Sequence, residues 1–181
     1  MISSVFDPDI VKVLALFGLQ KGARFNRKMI YEKTRLNNIP LDNALNRLVN
    51  LKILKKDKNL YGLDFYESEG KKIVGMISDE HKELKEIPLD VYYSIIDLLQ
   101  LLSKERDISM YLFGSYSKLV YNNGSDIDIA LISDNKIKVN TTKIEKKYGK
   151  EIEMHYFNNT FYKNKKDSII ADILRNGVKL L

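Results

Sequence analysis

The sequence predicts an α+β protein of two domains, and three observations predict that class. Residues 8–51 contain apolar residues at helical spacing, and two short strand-like segments separated by Asn59 follow them. Residues 108–113 and 126–132 are short, largely apolar segments of strand length. Residues 151–157 alternate polar and apolar residues before a final helical pattern. We therefore expect an N-terminal domain at 1–66, a linking helix at 67–87 and, at 88–181, a domain with a small mixed sheet flanked by helices.

The N-terminal domain is predicted to contain three helices and a hairpin. Asp7 before Pro8, and Asn26 before an apolar segment, are residues that commonly cap a helix start. The third helix has apolar residues at i, i+3, i+4, i+7 and i+8, so one of its faces is expected to be buried. The expected elements are helices from Pro8 to the glycines at 18 and 22, from Asn26 to about Leu36 and from Pro40 to about Leu51, and strands at 54–58 and 60–65.

The opposite face of the third helix is polar, and the strand that follows it is basic. Asn and Arg side chains can bond two base-edge atoms at once, and Lys side chains suit phosphates. The residues expected to read bases are Asn43, Asn46, Arg47 and Asn50, and those expected to meet phosphates are Lys55, Lys56 and Lys58. The alternatives are a face that is simply solvated, or a domain that mediates dimerisation or docking.

The order helix, helix, turn, helix and basic hairpin resembles a winged helix-turn-helix domain over residues 7–66. The resemblance implies double-stranded DNA as a partner, with the third helix in the major groove. The charge distribution favours the same partner, because residues 1–66 contain 12 Lys and Arg against 6 Asp and Glu, whereas residues 67–181 contain 18 of each. One departure is Lys52, at a position where such domains often have glycine before the hairpin.

The segment after the N-terminal domain is polar and helix-favouring, and Pro88 is expected to end its helix. An amphipathic helix is then expected from Leu89 to Lys104, and its leucine-rich stripe is typical of a core-facing helix. The later expected elements are a small one at 136–139, a helix at 141–148, a strand at 151–157 and a helix at 166–176.

Residues at the ends of two predicted strands indicate the chemistry. Gly114 lets the backbone approach a ligand, and Ser115 is expected to cap a short helix at 116–120 whose first N–H groups suit phosphate oxygens. Asp126 and Asp128 alternate with aliphatic residues, so both project from one face, about 6–7 Å apart along the strand. Carboxylates so placed can share divalent cations. An anion cradle beside paired carboxylates suits a nucleoside triphosphate with Mg²⁺.

The pattern Gly114-Ser115, ten residues and Asp126-Ile127-Asp128 resembles the signature of the minimal nucleotidyltransferases of the DNA polymerase beta-like superfamily. The resemblance implies two Mg²⁺ ions and ATP or another nucleoside triphosphate. Residues expected to bind the nucleotide are Gly114, Ser115 and Lys118, and the equal alternative for Lys118 is a surface lysine on the short helix. Leu119 follows Lys118, where many relatives have glycine.

The resemblance also implies a third acid on the strand after the two aspartates, which helps to hold metal and to deprotonate the attacking hydroxyl. Glu153 occupies that place, where relatives more often have Asp, and Glu151 is the second choice. The catalytic and metal-binding residues expected are therefore Asp126, Asp128 and Glu153, with Asp128 bridging the two ions. His155 shares the face of Glu153 and is interpreted as a hydrogen-bonded strand residue.

The resemblance implies the transfer of a nucleoside monophosphate to a hydroxyl acceptor. The nucleoside monophosphate expected is AMP. Small members of this family often belong to toxin–antitoxin pairs, which points to a hydroxyl of a toxin-like partner protein. The alternative is a DNA-binding transcriptional regulator whose nucleotidyltransferase domain binds nucleotide without catalysis.

The composition fits a cytoplasmic protein. The sequence has no cysteine, so disulfides and thiolate metal sites are excluded. The first residues lack the pattern of a secretory leader, and the early apolar stretch at 10–19 contains Lys12 and is too short to span a bilayer. We expect no membrane partner, and a dimer is compatible with the sequence.

Overall fold

The computed structural model describes residues 7–19, 22–64, 72–73, 75–76, 79 and 87–181. The chain divides into two compact units, residues 2–85 and residues 86–181. Most of the predicted linking helix at 67–87 lies outside the described residues, and the described ones between 72 and 79 are helical. The predicted domain boundaries stay predictions.

Up to Asp64, the described residues of the N-terminal unit form three helices and a three-stranded antiparallel sheet in the order β1-β3-β2. The elements are α1 (Pro8–Leu19), β1 (Phe25–Asn26), α2 (Arg27–Thr34), α3 (Asn38–Asn50), β2 (Leu54–Asp57) and β3 (Leu60–Leu63). The predicted helices and hairpin are present. Strand β1 was not predicted, and its two residues pair with Tyr61 and Leu60 of β3.

Side-chain caps begin the first two helices of this unit. The Asp7 carboxylate accepts a hydrogen bond from the Asp9 N–H at 2.9 Å, and the Asn26 side chain accepts one from the Met29 N–H at 2.8 Å. Both caps agree with the prediction. Helix α3 starts at Asn38, two residues before the predicted start. Pro40 is compatible with this start, because it lies in the first turn, where a backbone N–H would have no helical partner.

The C-terminal end of α3 is sharp although it lacks the glycine common at such ends. Lys52 adopts a φ of 56°, in the left-handed region. The Lys52 N–H donates to the Val49 carbonyl at 2.9 Å, and the Ile53 N–H donates to the Leu48 carbonyl at 3.0 Å. This pair of bonds is the Schellman arrangement, and the buried side chains of Leu48 and Ile53 provide its usual apolar residues.

The C-terminal unit is built on a four-stranded sheet in the order β6-β5-β4-β7. Strands β5 and β6 are parallel, and β4 is antiparallel to both β5 and β7, so the sheet is mixed, as predicted. The elements are α4 (Leu89–Leu102), β4 (Ser109–Phe113), α5 (Gly114–Ser117), β5 (Ile127–Ile132), α6 (Thr142–Tyr148), β6 (Ile152–Phe157), a 3₁₀ helix (Asn159–Lys163), α7 (Ser168–Asn176) and β7 (Val178–Lys179). Residues 136–139, predicted as a small element, form no helix or strand.

One face of this sheet is covered by an apolar cluster that ends at a carboxylate. The cluster consists of Phe113, Ala130, Ile132, Phe161, Ile170 and Ile173. Because strand side chains alternate, Asp128 projects from the same face of β5 as Ala130 and Ile132. The apolar surface therefore gives way to a polar site at the beginning of β5. Among the described residues, no helix combines the length and the apolar character needed to cross a bilayer.

Candidate active site

The turn from β4 into α5 brings the backbone of Gly114 against the side chain of Asp128. Phe113, the last residue of β4, is the register partner of Asp128 on β5. Gly114 has a φ of +68°, and a Cβ built on it would lie 2.7 Å from Asp128 Cγ and closer still to Oδ2. Glycine is therefore needed here both for its backbone conformation and for the space that the carboxylate occupies.

The parallel pairing of β5 and β6 places two acids side by side. Asp128 and Glu153 are register partners, so their side chains leave the same face of neighbouring strands. His155, two residues further along β6, joins them. One ligand atom from each of the three side chains lies within 4.8 Å of the others. His155 Nε2 is 3.2 Å from Glu153 Oε1.

The site makes a bound positive charge favourable. Partial burial raises the pKa of Asp128 above its ordinary value, and the nearby charges of Glu153 and Asp126 raise it further. The charge of His155 and a hydrogen bond that the Ser115 backbone N–H donates to the carboxylate act in the opposite direction. Negative groups that raise the pKa of a carboxyl group stabilise any cation bound between them.

The donor set fits a divalent metal ion. Two carboxylates and an imidazole supply oxygen and nitrogen ligands that can converge on one ion, and the glycine turn lets a ligand approach Asp128. Asp128 and Glu153 would hold such an ion, and His155 stands within the same group.

Residues 95–180 match the family model described as nucleotidyltransferase domain. This part of the chain is similar to nucleotidyltransferase domains. The match begins within α4 and ends after β7, so it includes all four strands of the sheet and the residues that converge on Asp128. A match of this kind indicates a transferase that transfers a nucleoside monophosphate. Comparison with the curated proteins and with the solved structures found no significant match.

The matched region brings together only part of the predicted metal site. Asp126 is exposed and precedes the first residue of β5, and it lies outside the group formed by Asp128, Glu153 and His155. It is near enough to raise the pKa of Asp128 through its charge. Glu151, the second choice for the third acid, is exposed just before β6 begins. The roles of these residues stay predictions.

Ser115 does not cap the short helix in the predicted manner. Helix α5 begins at Gly114 with Phe113 at its N-cap, and no side chain bonds the cap. The predicted range of 116–120 was therefore too late by two or three residues. The contribution of Ser115 to the site is its backbone N–H, which is directed at Asp128.

Lys118, predicted to contact the triphosphate, forms an ion pair with helix α7. Its Nζ is 2.8 Å from Asp172 Oδ2. The hydrogen bond from Lys118 is the main cause that lowers the pKa of Asp172, and one from Asn176 adds to it. Leu119, which follows, has a φ of +57°. Where the resemblance leads us to expect glycine, a leucine thus adopts the backbone conformation that glycine favours.

His155, interpreted from the sequence as a hydrogen-bonded strand residue, lies 3.2 Å from Glu153 and also belongs to the group around Asp128, which the sequence did not predict. The alternation of β6 put it on the face of Glu153, but a single histidine on a strand is usually a hydrogen-bonded strand residue. The deciding fact is the register of β6 on β5, which places Asp128 beside Glu153. Its imidazole also packs edge-on against the ring of Phe113, with 5.1 Å between ring centroids.

The predicted DNA-binding residues are accessible within the N-terminal unit. Those on α3 (Asn43, Asn46, Arg47 and Asn50) are all exposed, whereas Leu41, Ala44, Leu45 and Leu48 on the other face are buried. Lys56 and Lys58 are exposed and Lys55 is half-buried. Lys56 Nζ lies 5.4 Å from the centre of the ring of Tyr61, its register partner on β3, within the range of a cation–π contact.

Proposed function

We propose that the chain transfers a nucleoside monophosphate, AMP from ATP, to a hydroxyl of a protein acceptor. The single observation that carries this proposal is the convergence of Asp128 and Glu153 beside Gly114. Two acids on neighbouring strands next to a glycine turn suit a metal-bound triphosphate, and residues 95–180 match a domain family of this activity.

The residues of the site have separable roles. Asp128 and Glu153 bind divalent metal, and the Ser115 N–H orients Asp128. The Gly114 turn gives the phosphates room to approach. Bound divalent ions offset the negative charge that develops on the attacking and leaving oxygens. The acceptor oxygen bonds to the α-phosphorus as that phosphorus loses its bond to the pyrophosphate oxygen, and the hydroxyl proton passes to Glu153.

A protein hydroxyl is the acceptor favoured by the resemblance to the minimal nucleotidyltransferases. Glu153 has 59% of its side chain exposed, and Asp128 is half-buried at the start of its strand, so the site opens to solvent. A tyrosine on the surface of a toxin-like partner could reach it. The DNA-binding half of the proposal is a winged helix at residues 7–66, supported by the exposed Asn and Arg face of α3 and the basic hairpin.

Transfer of labelled AMP tests the enzyme directly. The protein is incubated with α-³²P-ATP, a divalent metal and either cell lysate or the purified product of the neighbouring gene. We expect label on one protein band, and we expect it to disappear in Asp128→Asn and Glu153→Gln. Glu105→Gln, an exposed acid in the turn before β4, is the control that retains transfer. Labelling that survives Asp128→Asn would overturn the proposal.

The alternative is a DNA-binding regulator whose nucleotidyltransferase domain has lost catalysis. Two observations favour it, namely that Asp126 lies outside the converging group and that Lys118 is engaged by Asp172. Promoter DNA binding without transfer to any protein or nucleic acid, under conditions in which the metal and ATP both bind, would select this alternative.

A further inference from the structure

We propose that His155 is a ligand of the divalent ion at this site and makes the domain prefer Mn²⁺ to Mg²⁺. The proposal deepens the proposed function, because it concerns the metal site on which that function rests. Its basis is that an atom of the imidazole lies within 4.8 Å of ligand oxygens of both Asp128 and Glu153.

The sheet holds the imidazole where it can act as a ligand. His155 and Glu153 leave the same face of β6, and the register partner of His155 on β5 is Ala130, whose methyl group leaves room beside the ring. Phe113 packs edge-on against the imidazole from β4, with 5.1 Å between centroids. His155 is thus positioned by β5, the neighbour of β6, and by Phe113 of β4, the strand beyond β5, and it has less freedom than a surface histidine.

The ligand types determine the expected selectivity. Mg²⁺ takes oxygen ligands almost exclusively and gives up water reluctantly, whereas imidazole nitrogen suits transition-metal ions. A site of carboxylates alone already binds Mn²⁺ in preference to Mg²⁺ to some extent. The specific prediction is therefore that removing the nitrogen reduces the preference.

Metal binding by the full chain provides the test, with Mn²⁺ and Mg²⁺ as the probes. Free Mn²⁺ is measured by EPR during titration, alone and with α,β-methylene ATP, and Mg²⁺ is used as the competitor. We expect His155→Gln to weaken Mn²⁺ binding at least about tenfold while Mg²⁺ binding changes less. His155→Asp, which restores a third oxygen, is expected to retain Mg²⁺ binding with a reduced Mn²⁺ preference. Glu105→Gln should match the wild type.

Pulsed EPR of bound Mn²⁺ gives a readout independent of affinity and activity. We expect nitrogen modulation from a coordinated imidazole in the wild type and none in His155→Gln. The sequence has two histidines, so loss in this variant assigns the signal to His155. Circular dichroism identifies variants that fail to fold, and His155→Asp provides the second substitution.

The outcomes separate this inference from the proposed function. Mn²⁺ bound through Asp128 without nitrogen modulation would overturn the role of His155 and leave AMP transfer intact. Equal Mn²⁺ and Mg²⁺ selectivity in wild type and His155→Gln would also overturn it. Absence of metal binding, even with α,β-methylene ATP, would overturn both.

Discussion

Gly114 shows how a single residue combines a backbone requirement with a functional one. Its φ of +68° favours glycine, and the position of a Cβ is already occupied by the Asp128 carboxylate. We predict that Gly114→Ala destabilises the fold by about 2–4 kcal/mol and displaces Asp128, because both strain and overlap arise. Thermal unfolding and Mn²⁺ titration measure the two effects.

Gly124→Ala is the matched control for this substitution. A Cβ at Gly124 would meet only Asn122 Oδ1, at an ordinary contact distance of 3.5 Å, and the N–H that donates to that oxygen is retained. Metal binding should be unchanged in this variant. Equal losses in Gly114→Ala and Gly124→Ala would contradict the specific role of Gly114.

At the same scale, the sequence could predict residue identities in the site but not all of their partners. The aspartates and the Gly-Ser pair follow from spacing and alternation, and Glu153 follows from the resemblance to the minimal nucleotidyltransferases. The part of His155 and the separation of Asp126 from the group depend on how β6 aligns with β5, and a pairing register between distant strands cannot be inferred from either strand alone.

Helix ends are the element-scale feature with the clearest energetic consequence. Lys52 adopts a φ of 56° at the end of α3. We predict that Lys52→Gly stabilises the protein by roughly 1 kcal/mol, because glycine relieves the left-handed conformation of a residue with a Cβ. Chemical denaturation measures the change. Lys52→Ala removes the same charge but keeps the Cβ, so a comparable gain in that variant would refute the explanation.

The start of α2 is tied to α3 by an ion pair with two bonds. Arg27 Nε and one terminal nitrogen donate to the two carboxylate oxygens of Asp42, at 2.7 and 3.0 Å. Although isolated surface pairs contribute little, this two-bond geometry is the favourable case. The hydrogen bond from Arg27 lowers the pKa of Asp42 in the folded state.

The stabilising effect of Asp42 should therefore depend on pH. Since the folded-state pKa lies below the unfolded value of about 3.9, the contribution is complete at neutral pH and is lost as the pH falls through the folded value. We predict a lower urea midpoint for Asp42→Asn at pH 7, and convergence with the wild type in acid. Asp57→Asn, whose partner Arg24 is 3.7 Å away, should show a smaller difference at pH 7.

Most helices and strands could be predicted because their apolar periodicity is long enough to be seen. The two-residue strand β1 has too few residues for a pattern, and it exists because β3 offers an edge to pair with. Helix α5 began earlier than predicted because its start is determined by the Gly114 turn against Asp128, a contact between separate segments.

At the scale of the whole molecule, the basic N-terminal third predicts a distinct salt dependence for DNA binding. We expect Arg47→Ala to lower the ratio of specific to non-specific affinity about tenfold, because Arg47 is a base-reading candidate. Lys56→Ala is expected to reduce the slope of log affinity against log salt by about 1 with little loss of discrimination. Gel-shift titrations on promoter and random DNA at several salt concentrations measure both. Identical binding by both variants and the wild type would exclude a nucleic-acid role for this face.

The parallel alignment of β5 and β6 also makes the cation site an indicator of folding progress. Asp128 and Glu153 become neighbours only after the segment containing α6 has crossed over and the two strands have joined. In a partly folded chain in which β5 and β6 have not paired, the two carboxylates do not converge and cannot bind one cation together. A bound cation therefore stabilises only the chain with the completed sheet. It adds about 2.7 kcal/mol to the free energy of unfolding when the ion is present at a hundred times its dissociation constant.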